Sequence, residues 1–174
     1  MFGAAAAALV VGSAAVAQTP APQTPAPQAP AATTAELKNG AGATIGKVTL
    51  TPAPKGVLMR VEASGLTPGW HGLHFHEKAD CSKSDFTSAG GHTHPGGDRV
   101  HGLLNPKANE TGDLPNLHVG SDGRGAAEVF SSLITLDKLK DADGSAVLIH
   151  AAADDQLSQP IGGAGARVAC AAVK

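Results

Sequence analysis

The chain has 174 residues, a formal net charge of −2 and only 16% charged side chains. These values exclude a strongly basic nucleic-acid-binding surface, and we expect no nucleic-acid partner. About 141 residues follow an unusual N-terminal segment, which is enough for one domain with its own core. Because glycine is frequent and short apolar runs are separated by turn residues, the composition predicts an all-β domain rather than a helical bundle.

The N-terminus divides into two segments by composition. We predict a signal peptide at residues 1–17. The apolar run from Ala4 to Val16 is too short to cross a bilayer, and it ends in a small-x-small cleavage motif directly before Gln18. The alternative is an Ala-rich tail, since no basic residue precedes the run. Residues 18–33 repeat Thr-Pro-Ala-Pro-Gln and predict an extended Pro/Ala/Gln/Thr-rich linker. We expect export and no stable membrane insertion after cleavage.

Residues 34–174 form the predicted domain. Short alternating segments predict strands at 43–50, 56–63, 70–76, 117–119, 126–136, 146–152 and 167–173. Pro52 and Pro54 are expected to end the first of these strands, and only residues 133–141 allow a helix. Two segments, 78–113 and 152–165, lack alternation and predict long functional loops. The expected fold is an immunoglobulin-like β-sandwich or a Greek-key β-barrel.

Histidines carry the clearest chemical signal. His74 and His76 are two residues apart in a predicted strand, so both side chains share a face and can reach one metal ion. His71 is three residues before His74, so we expect it on the other face as a structural hydrogen-bonding residue. Imidazole nitrogens suit copper and zinc better than calcium or magnesium. We expect His118 to be a surface residue without a role.

Further candidate ligands lie in or beside the long loops. The first loop contains His92, His94, His101, Glu110 and Asp113, and His150 ends a predicted strand. The chain has two cysteines, Cys81 and Cys170. In an exported chain they most simply form one disulfide, and the alternative is a cysteine metal ligand, for which no CxxC spacing is present.

Several motifs carry a family resemblance. The segment 69–77, Gly-Trp-His-Gly-Leu-His-Phe-His-Glu, resembles the copper-site strand of the copper/zinc superoxide dismutases. Segments 88–92, 101–106 and 112–117 resemble the zinc-loop motifs of the bacterial exported branch. His150 with Asp154 and Asp155, followed by segment 165–170, resembles the last pair of strands and the loop between them. The similarity keeps its order over about residues 36–174 and implies a Greek-key β-barrel in the periplasm.

The resemblance implies a role for each matching residue. Copper would be held by His74, His76, His92 and His150. Zinc would be held by His92, His101 and Asp113, so that His92 bridges the two ions. Asp154 would link a copper-ligand and a zinc-ligand histidine. Arg167 would receive the anion, His92 would supply a proton, and Cys81 would be bonded to Cys170.

The implied reaction is disproportionation of superoxide to oxygen and hydrogen peroxide, at copper bridged to zinc through a histidine. One alternative is a copper storage or delivery module, against which Arg167 argues because storage needs no anion guide. The other is a structural β-domain with incidental histidines, against which the four ordered motifs argue. The sequence leaves monomer and homodimer both open.

Two departures from the family pattern concern zinc. Glu110 stands where a histidine is usual, and His94 stands where an asparagine is usual. We expect Glu110 to complete the zinc site, and the alternatives are His94 or a weak or empty site. The loop from Ala151 to Gly165 contains no lysine, so anion attraction would depend on Arg167 with little help.

Overall fold

A computed structural model describes residues 30–174. The predicted signal peptide and most of the predicted linker, residues 18–33, lie outside the described residues. Within residues 30–174 there is no helix with the length and apolar character needed to cross a membrane.

The described chain is built from nine strands and almost no helix, which confirms the predicted all-β class. One helical turn, α1 (Leu136–Leu139), lies within the segment where the sequence allowed a helix. The strands are β1 (Thr33–Asn39), β2 (Thr44–Ala53), β3 (Gly56–Ala63), β4 (Gly69–His71), β5 (Leu73–His76), β6 (Leu117–Val119), β7 (Gly125–Ser131), β8 (Ser145–His150) and β9 (Arg167–Val173).

All nine strands belong to one sheet, with the order β4-β6-β7-β3-β2-β1-β9-β8-β5. Its strand pairs are antiparallel. The two outermost strands, β4 and β5, follow each other directly in the chain, so the sheet curls and brings its two edges close together. The result is a nearly closed barrel, as predicted.

The barrel core follows from period-two alternation. In β3, Val57, Met59, Val61 and Ala63 are all buried, because every second side chain of a strand points to the same face. Burying a side chain of the size of valine or methionine contributes about 1.5–3 kcal/mol. The same cluster includes Leu37, Val48, Leu50, Leu73, Phe75, Leu114, Leu117, Val119, Leu136, Leu139, Val147, Ile149, Ala169, Ala171 and Val173.

The predicted single strand at 70–76 is wrong, because Gly72 divides it into β4 and β5. The Gly72 N–H donates to the Ala152 carbonyl at 2.8 Å, and its carbonyl accepts from the His150 N–H at 2.8 Å. A Cβ at this position would lie 2.8 Å from the Cβ of Ala164, so glycine is needed for this approach. The chain changes partners here, from β6 to β8.

Other strand predictions also differ from the structure. The strand predicted at 126–136 ends at Ser131 of β7, because its ladder with β3 ends at the Val57–Ser131 pair, and the strand predicted at 146–152 ends at His150 of β8. β1 was not predicted, and it forms because it pairs with both β2 and β9. β2 continues through Pro52 to Ala53, because the hairpin ladder with β3 extends to the Ala53–Gly56 pair and one missing donor does not end it.

Two long connections between strands confirm that the two segments without alternation are loops. The first loop, residues 77–116, joins β5 to β6 and contains one short 3₁₀ turn, Thr87–Ala89. The second loop, residues 151–166, joins β8 to β9. The predicted disulfide is confirmed, since Cys81 of the first loop is bonded to Cys170 of β9, with their Cα atoms 5.9 Å apart. It ties the first loop to the barrel wall.

Candidate metal centre

β5 presents two histidines to the loops. Its Leu73 and Phe75 side chains face the core, so the alternating His74 and His76 side chains face the opposite side. All four residues are buried, because the first loop covers the outward face of this strand.

The first loop runs along the free edge of β5. The Phe75 N–H donates to the Gly112 carbonyl at 2.9 Å, and the Phe75 carbonyl accepts from the Thr93 N–H at 2.9 Å. Isolated β-bridges pair His76 with His92 and His74 with Asp113. Backbone pairing therefore brings loop residues beside the strand histidines, although they are far apart in sequence.

Four histidines form a first ligand set. One ligand atom from each of His74, His76, His92 and His150 lies within 4.8 Å of all the others. His150 joins from the end of β8, where the ladder with β9 is shifted between Ile149 and His150. All four side chains are buried.

One nitrogen of each ring in this set is held in place. His74 Nε2 lies 2.7 Å from Asp154 Oδ2, and His92 Nδ1 lies 2.6 Å from Glu110 Oε2. His76 Nδ1 and His150 Nδ1 each lie 3.0 Å from a backbone carbonyl oxygen, those of Gly90 and Gly165. These contacts fix the orientation of the rings and the nitrogen that remains available.

The remaining nitrogens have no partner. In the described part of the chain, the buried side-chain polar atoms without a hydrogen bond are His74 Nδ1, His76 Nε2, His92 Nε2 and His150 Nε2. A buried polar atom left without a partner costs about 1–3 kcal/mol, so four of them in one place point to a ligand. Four convergent imidazole nitrogens fit a copper ion.

A second set combines two imidazoles with two carboxylates. His101 Nδ1 lies 2.8 Å from Asp113 Oδ1 and 3.2 Å from Glu110 Oε2. His92 Nδ1 lies 2.6 Å from Glu110 Oε2 and 3.2 Å from Asp113 Oδ1. A ligand atom of His74 also lies within 4.8 Å of those of His92, His101 and Asp113. We count the free His74 Nδ1 with the first set, because His74 Nε2 is engaged by Asp154. Glu110 Oε2 is the second carboxylate oxygen beside the Nδ1 atoms of His92 and His101.

Asp154 lies between the two sets. Its Oδ2 contacts His74 Nε2 at 2.7 Å, and its Oδ1 contacts His101 Nε2 at 3.1 Å. The Asn116 amide holds the backbone of Asp154, with Oδ1 accepting from the Asp154 N–H at 2.9 Å and Nδ2 donating to its carbonyl at 2.7 Å. No role for Asn116 was predicted, because nothing in a single sequence pairs it with a residue 38 positions away.

Burial keeps three histidines of the first set, His74, His76 and His150, neutral. It lowers the pKa of His74 to about 4 and that of His150 to about 3, and it places the pKa of His76 well below its ordinary value. The lone pairs of these rings are therefore free near neutral pH, which is the state in which imidazole binds a metal ion.

The second set has the opposite electrostatics. Burial alone would lower the pKa of His101, but contacts with Asp113, Asp154 and Glu110 raise it to about 11. The pKa of His92 is raised in the same way, against burial, by its contacts with Asp113 and Glu110. Carboxylates gathered around these rings favour positive charge, and a mixed set of imidazole and carboxylate ligands fits zinc.

His94 and His71 lie outside both sets. His94 Nδ1 lies 3.5 Å from Glu77 Oε1, beside the ion pair between Glu77 and Arg99. His71 Nδ1 lies 2.6 Å from the His150 carbonyl oxygen, and its Nε2 lies 2.8 Å from the Thr67 carbonyl oxygen. His71 therefore supports the backbone of His150.

His118 is exposed, as predicted. It lies on β6 opposite Trp70 of β4, and the two rings meet edge to face with centroids 4.7 Å apart.

Arg167 is anchored by the first loop. Its Nη1 donates to the Phe86 carbonyl and its Nη2 donates to the Gly90 carbonyl, both at 2.6 Å. The Gly90 carbonyl also contacts His76 Nδ1. The guanidinium and the His76 ring thus share one backbone carbonyl, which places the positive charge of Arg167 close to the first set. Burial is the main cause of the lowered pKa of His76 and of His150, and this charge lowers both further.

Comparison with known proteins identifies the family. A family model described as copper/zinc superoxide dismutase matches residues 44–173. The chain belongs to the copper/zinc superoxide dismutase family. A relative from Caulobacter vibrioides, named Superoxide dismutase [Cu-Zn], is 54% identical over 147 residues, covering 81% of this chain and 84% of the relative.

Solved structures of family members share the fold. A copper/zinc superoxide dismutase from Brucella abortus superposes with a TM-score of 0.70 at 31% identity, covering 83% of this chain and all of that one. A SOD-like protein from Bacillus subtilis gives a TM-score of 0.73 at 36% identity, covering 81% and 97% of the two chains. The family resemblance carried by the sequence motifs is therefore confirmed.

Proposed function

We propose that this chain disproportionates superoxide to oxygen and hydrogen peroxide, with copper in the first ligand set and zinc in the second. The observation that carries the proposal is the convergence of four buried imidazole nitrogens without a hydrogen-bond partner. Copper, when bound, supplies the one-electron oxidation and reduction that the reaction needs, whereas zinc has no redox chemistry.

The protein contributes by fixing the rings in advance. Asp154 and the carbonyls of Gly90 and Gly165 each hold one nitrogen of a first-set ring, so the other nitrogen points inward without rearrangement. Such outer hydrogen bonds set the tautomer and the basicity of a ligand.

His92 is suited to proton transfer. Its Nε2 belongs to the first set and has no hydrogen-bond partner, whereas its Nδ1 lies against Glu110 and Asp113. We assign to His92 Nε2 the uptake of a proton when that nitrogen is free and its release to the developing peroxide. The neighbouring carboxylates favour the protonated ring, since they raise the pKa of His92.

Arg167 supplies the positive charge that a small anion needs beside the first set. Two backbone carbonyls hold the guanidinium, so its position does not depend on substrate. A fixed cation beside an open site raises the local concentration of an anionic substrate.

Metal analysis together with a superoxide-decay assay tests the proposal. We expect the purified mature protein to contain equimolar copper and zinc, and its dismutating activity to be lost on chelation and restored by copper. Copper that exchanges freely and an activity no greater than that of free copper would contradict it, and would indicate storage or delivery instead.

For the zinc set we propose Glu110 as the fourth ligand rather than His94. Glu110 contacts the Nδ1 atoms of both His92 and His101, whereas His94 faces Glu77. A carboxylate in place of a neutral imidazole adds one negative charge beside His92. That charge favours the protonated form of His92 and makes the site somewhat less attractive to an incoming anion.

The comparison of Glu110→Gln with His94→Asn tests this assignment. Zinc titrated into the metal-free Glu110→Gln protein should bind much more weakly, because a direct ligand is lost. The loss of affinity should exceed the ~10–100-fold that follows when only a hydrogen-bond partner of a ligand is removed. His94→Asn should bind zinc like the unaltered protein. Weaker binding in His94→Asn alone would assign the ligand to His94, and weaker binding in neither would refute the zinc set.

We also propose that the chain is exported to the periplasm. The apolar run before Gln18 and the disulfide between Cys81 and Cys170 support this location, since disulfides persist in oxidising compartments. The intact mass of the protein used for metal analysis should correspond to a chain beginning at Gln18, and an uncleaved chain would contradict export by this signal.

A further inference from the structure

The second loop packs directly on the first loop beside the zinc set. The Leu104 N–H donates to the Gln156 carbonyl at 3.1 Å. Gly102 makes this approach possible, because its φ is +114° and a Cβ there would lie 2.3 Å from the Gln156 carbonyl oxygen.

The Gln159 side chain binds the backbone of His101 at both polar groups. Its Oε1 accepts from the His101 N–H at 2.9 Å, and its Nε2 donates to the His101 carbonyl at 2.8 Å and to that of Leu157 at 3.0 Å. The His101 carbonyl also accepts a longer bond from Asn105 Nδ2, at 3.2 Å. Among the side chains of residues 30–174, Gln159 is the one that binds both the backbone N–H and the backbone carbonyl of His101.

The ring of His101 is held by the same loop. Its Nε2 contacts Asp154, which also belongs to the second loop, and this leaves Nδ1 facing Asp113 and Glu110. The second loop therefore binds His101 in two places. Gln159 binds its backbone, and Asp154 binds its ring at Nε2. Two such contacts fix both the position of the Cα atom and the direction of Nδ1.

We propose that Gln159 is a positioning residue for His101, and that the second loop acts as a clamp on the zinc set. The inference rests on the proposed zinc site. Gln159 gives this lysine-free loop an uncharged contact with the first loop, alongside the charged contact that Asp154 makes with the His101 ring. Metal ligands held in this way lose less conformational freedom when the ion binds.

Gln159→Leu tests the proposal, because leucine keeps most of the volume and removes both bonds to His101. We expect the full mature chain, stripped of metal, to bind zinc ~10–100-fold more weakly in competition with a chromophoric chelator. We also expect the visible spectrum of Co²⁺ in the zinc set to change in intensity, since that intensity depends on ligand geometry. If Gln159→Leu does not fold, Gln159→Asn provides the same test with a shorter amide.

Asn109→Leu is the matched control. Asn109 makes an equivalent pair of bonds within the first loop, with Oδ1 accepting from the Val100 N–H at 2.9 Å and Nδ2 donating to the Asp98 carbonyl at 2.7 Å. It binds the backbone of no proposed ligand, but it precedes Glu110 and its partner Val100 precedes His101, so its loss measures general loosening of the first loop. Asn109→Leu should therefore weaken zinc binding, and alter the Co²⁺ spectrum, much less than Gln159→Leu.

The outcomes separate the clamp from the zinc site itself. Equal weakening in Asn109→Leu and Gln159→Leu would overturn the positioning role, since any loosening of the first loop would then suffice. Unaltered zinc affinity in Gln159→Leu would overturn it as well. Unaltered zinc affinity in His101→Ala would instead refute the zinc site on which the inference rests.

Discussion

Replacing His76 with alanine is expected to remove copper and dismutating activity together. His76 supplies one of the four unpartnered nitrogens of the first set, and it lies on β5, which pairs with β8 in the barrel. Losing a direct ligand should cost more than the ~10–100-fold in affinity that follows loss of an outer hydrogen-bond partner. Copper content and superoxide decay, measured on the same sample, check this result.

His118→Ala is the control for that experiment, because His118 is an exposed imidazole that contacts Trp70 rather than either ligand set. It should retain copper and activity in full. A His76→Ala protein that keeps full activity would refute the copper assignment. Copper retained with activity lost would instead show that His76 is needed for the chemistry but not for holding the ion.

Reversing the charge of Arg167 is expected to slow the reaction far more than removing it. Arg167→Ala removes the attraction for superoxide, whereas Arg167→Glu adds repulsion in the same place, and local fields of this kind change association rates by about 10–10³-fold. The difference should be largest at low ionic strength, because salt at 0.1 M screens charges over about 10 Å. Rates of superoxide decay over a series of salt concentrations measure it.

Two further variants separate charge from structure at this position. Arg167→Lys cannot reproduce the paired bonds to the Phe86 and Gly90 carbonyls. It should still retain the salt dependence of the rate, because it keeps the positive charge. Arg124→Glu makes the same change in net charge on the exposed turn between β6 and β7, and should leave the rate nearly unaltered. A deficit in Arg167→Glu that does not vary with salt would indicate a structural role for the arginine.

The residues that the sequence predicted best are those governed by local periodicity. The alternation of Val57, Met59 and Val61 predicted β3 with its observed bounds, and the spacing of His74 and His76 predicted that both side chains share a face. The odd spacing between His71 and His74 predicted that His71 points to the other face. In the structure the His71 ring contacts the backbone carbonyls of His150 and Thr67 and lies outside both ligand sets.

The features that could not be predicted depend on contacts between distant segments. Gly72 divides the strand predicted at 70–76 because its backbone N–H and carbonyl bind Ala152 and His150, which lie far along the chain. Asn116 and Gln159 resemble ordinary loop residues until the fold places them on the backbones of Asp154 and His101.

The proposal of Glu110 rather than His94 as a zinc ligand likewise rests on distances. Both carry metal-binding groups in the same loop, and their spacing from His92 and His101 did not decide between them. The structure separates them by orientation, since Glu110 faces the two Nδ1 atoms and His94 faces Glu77.

The way the first loop lies along β5 has a consequence for the solubility of the protein. β5 is the last strand of the sheet, and the backbone groups of Phe75 on its outer side are taken by Thr93 and Gly112 of the loop. An uncovered strand edge is a template for pairing with another chain. The loop that gathers the metal ligands therefore also shields the edge from self-association. Substitutions that detach it would promote aggregation even where no ligand is altered.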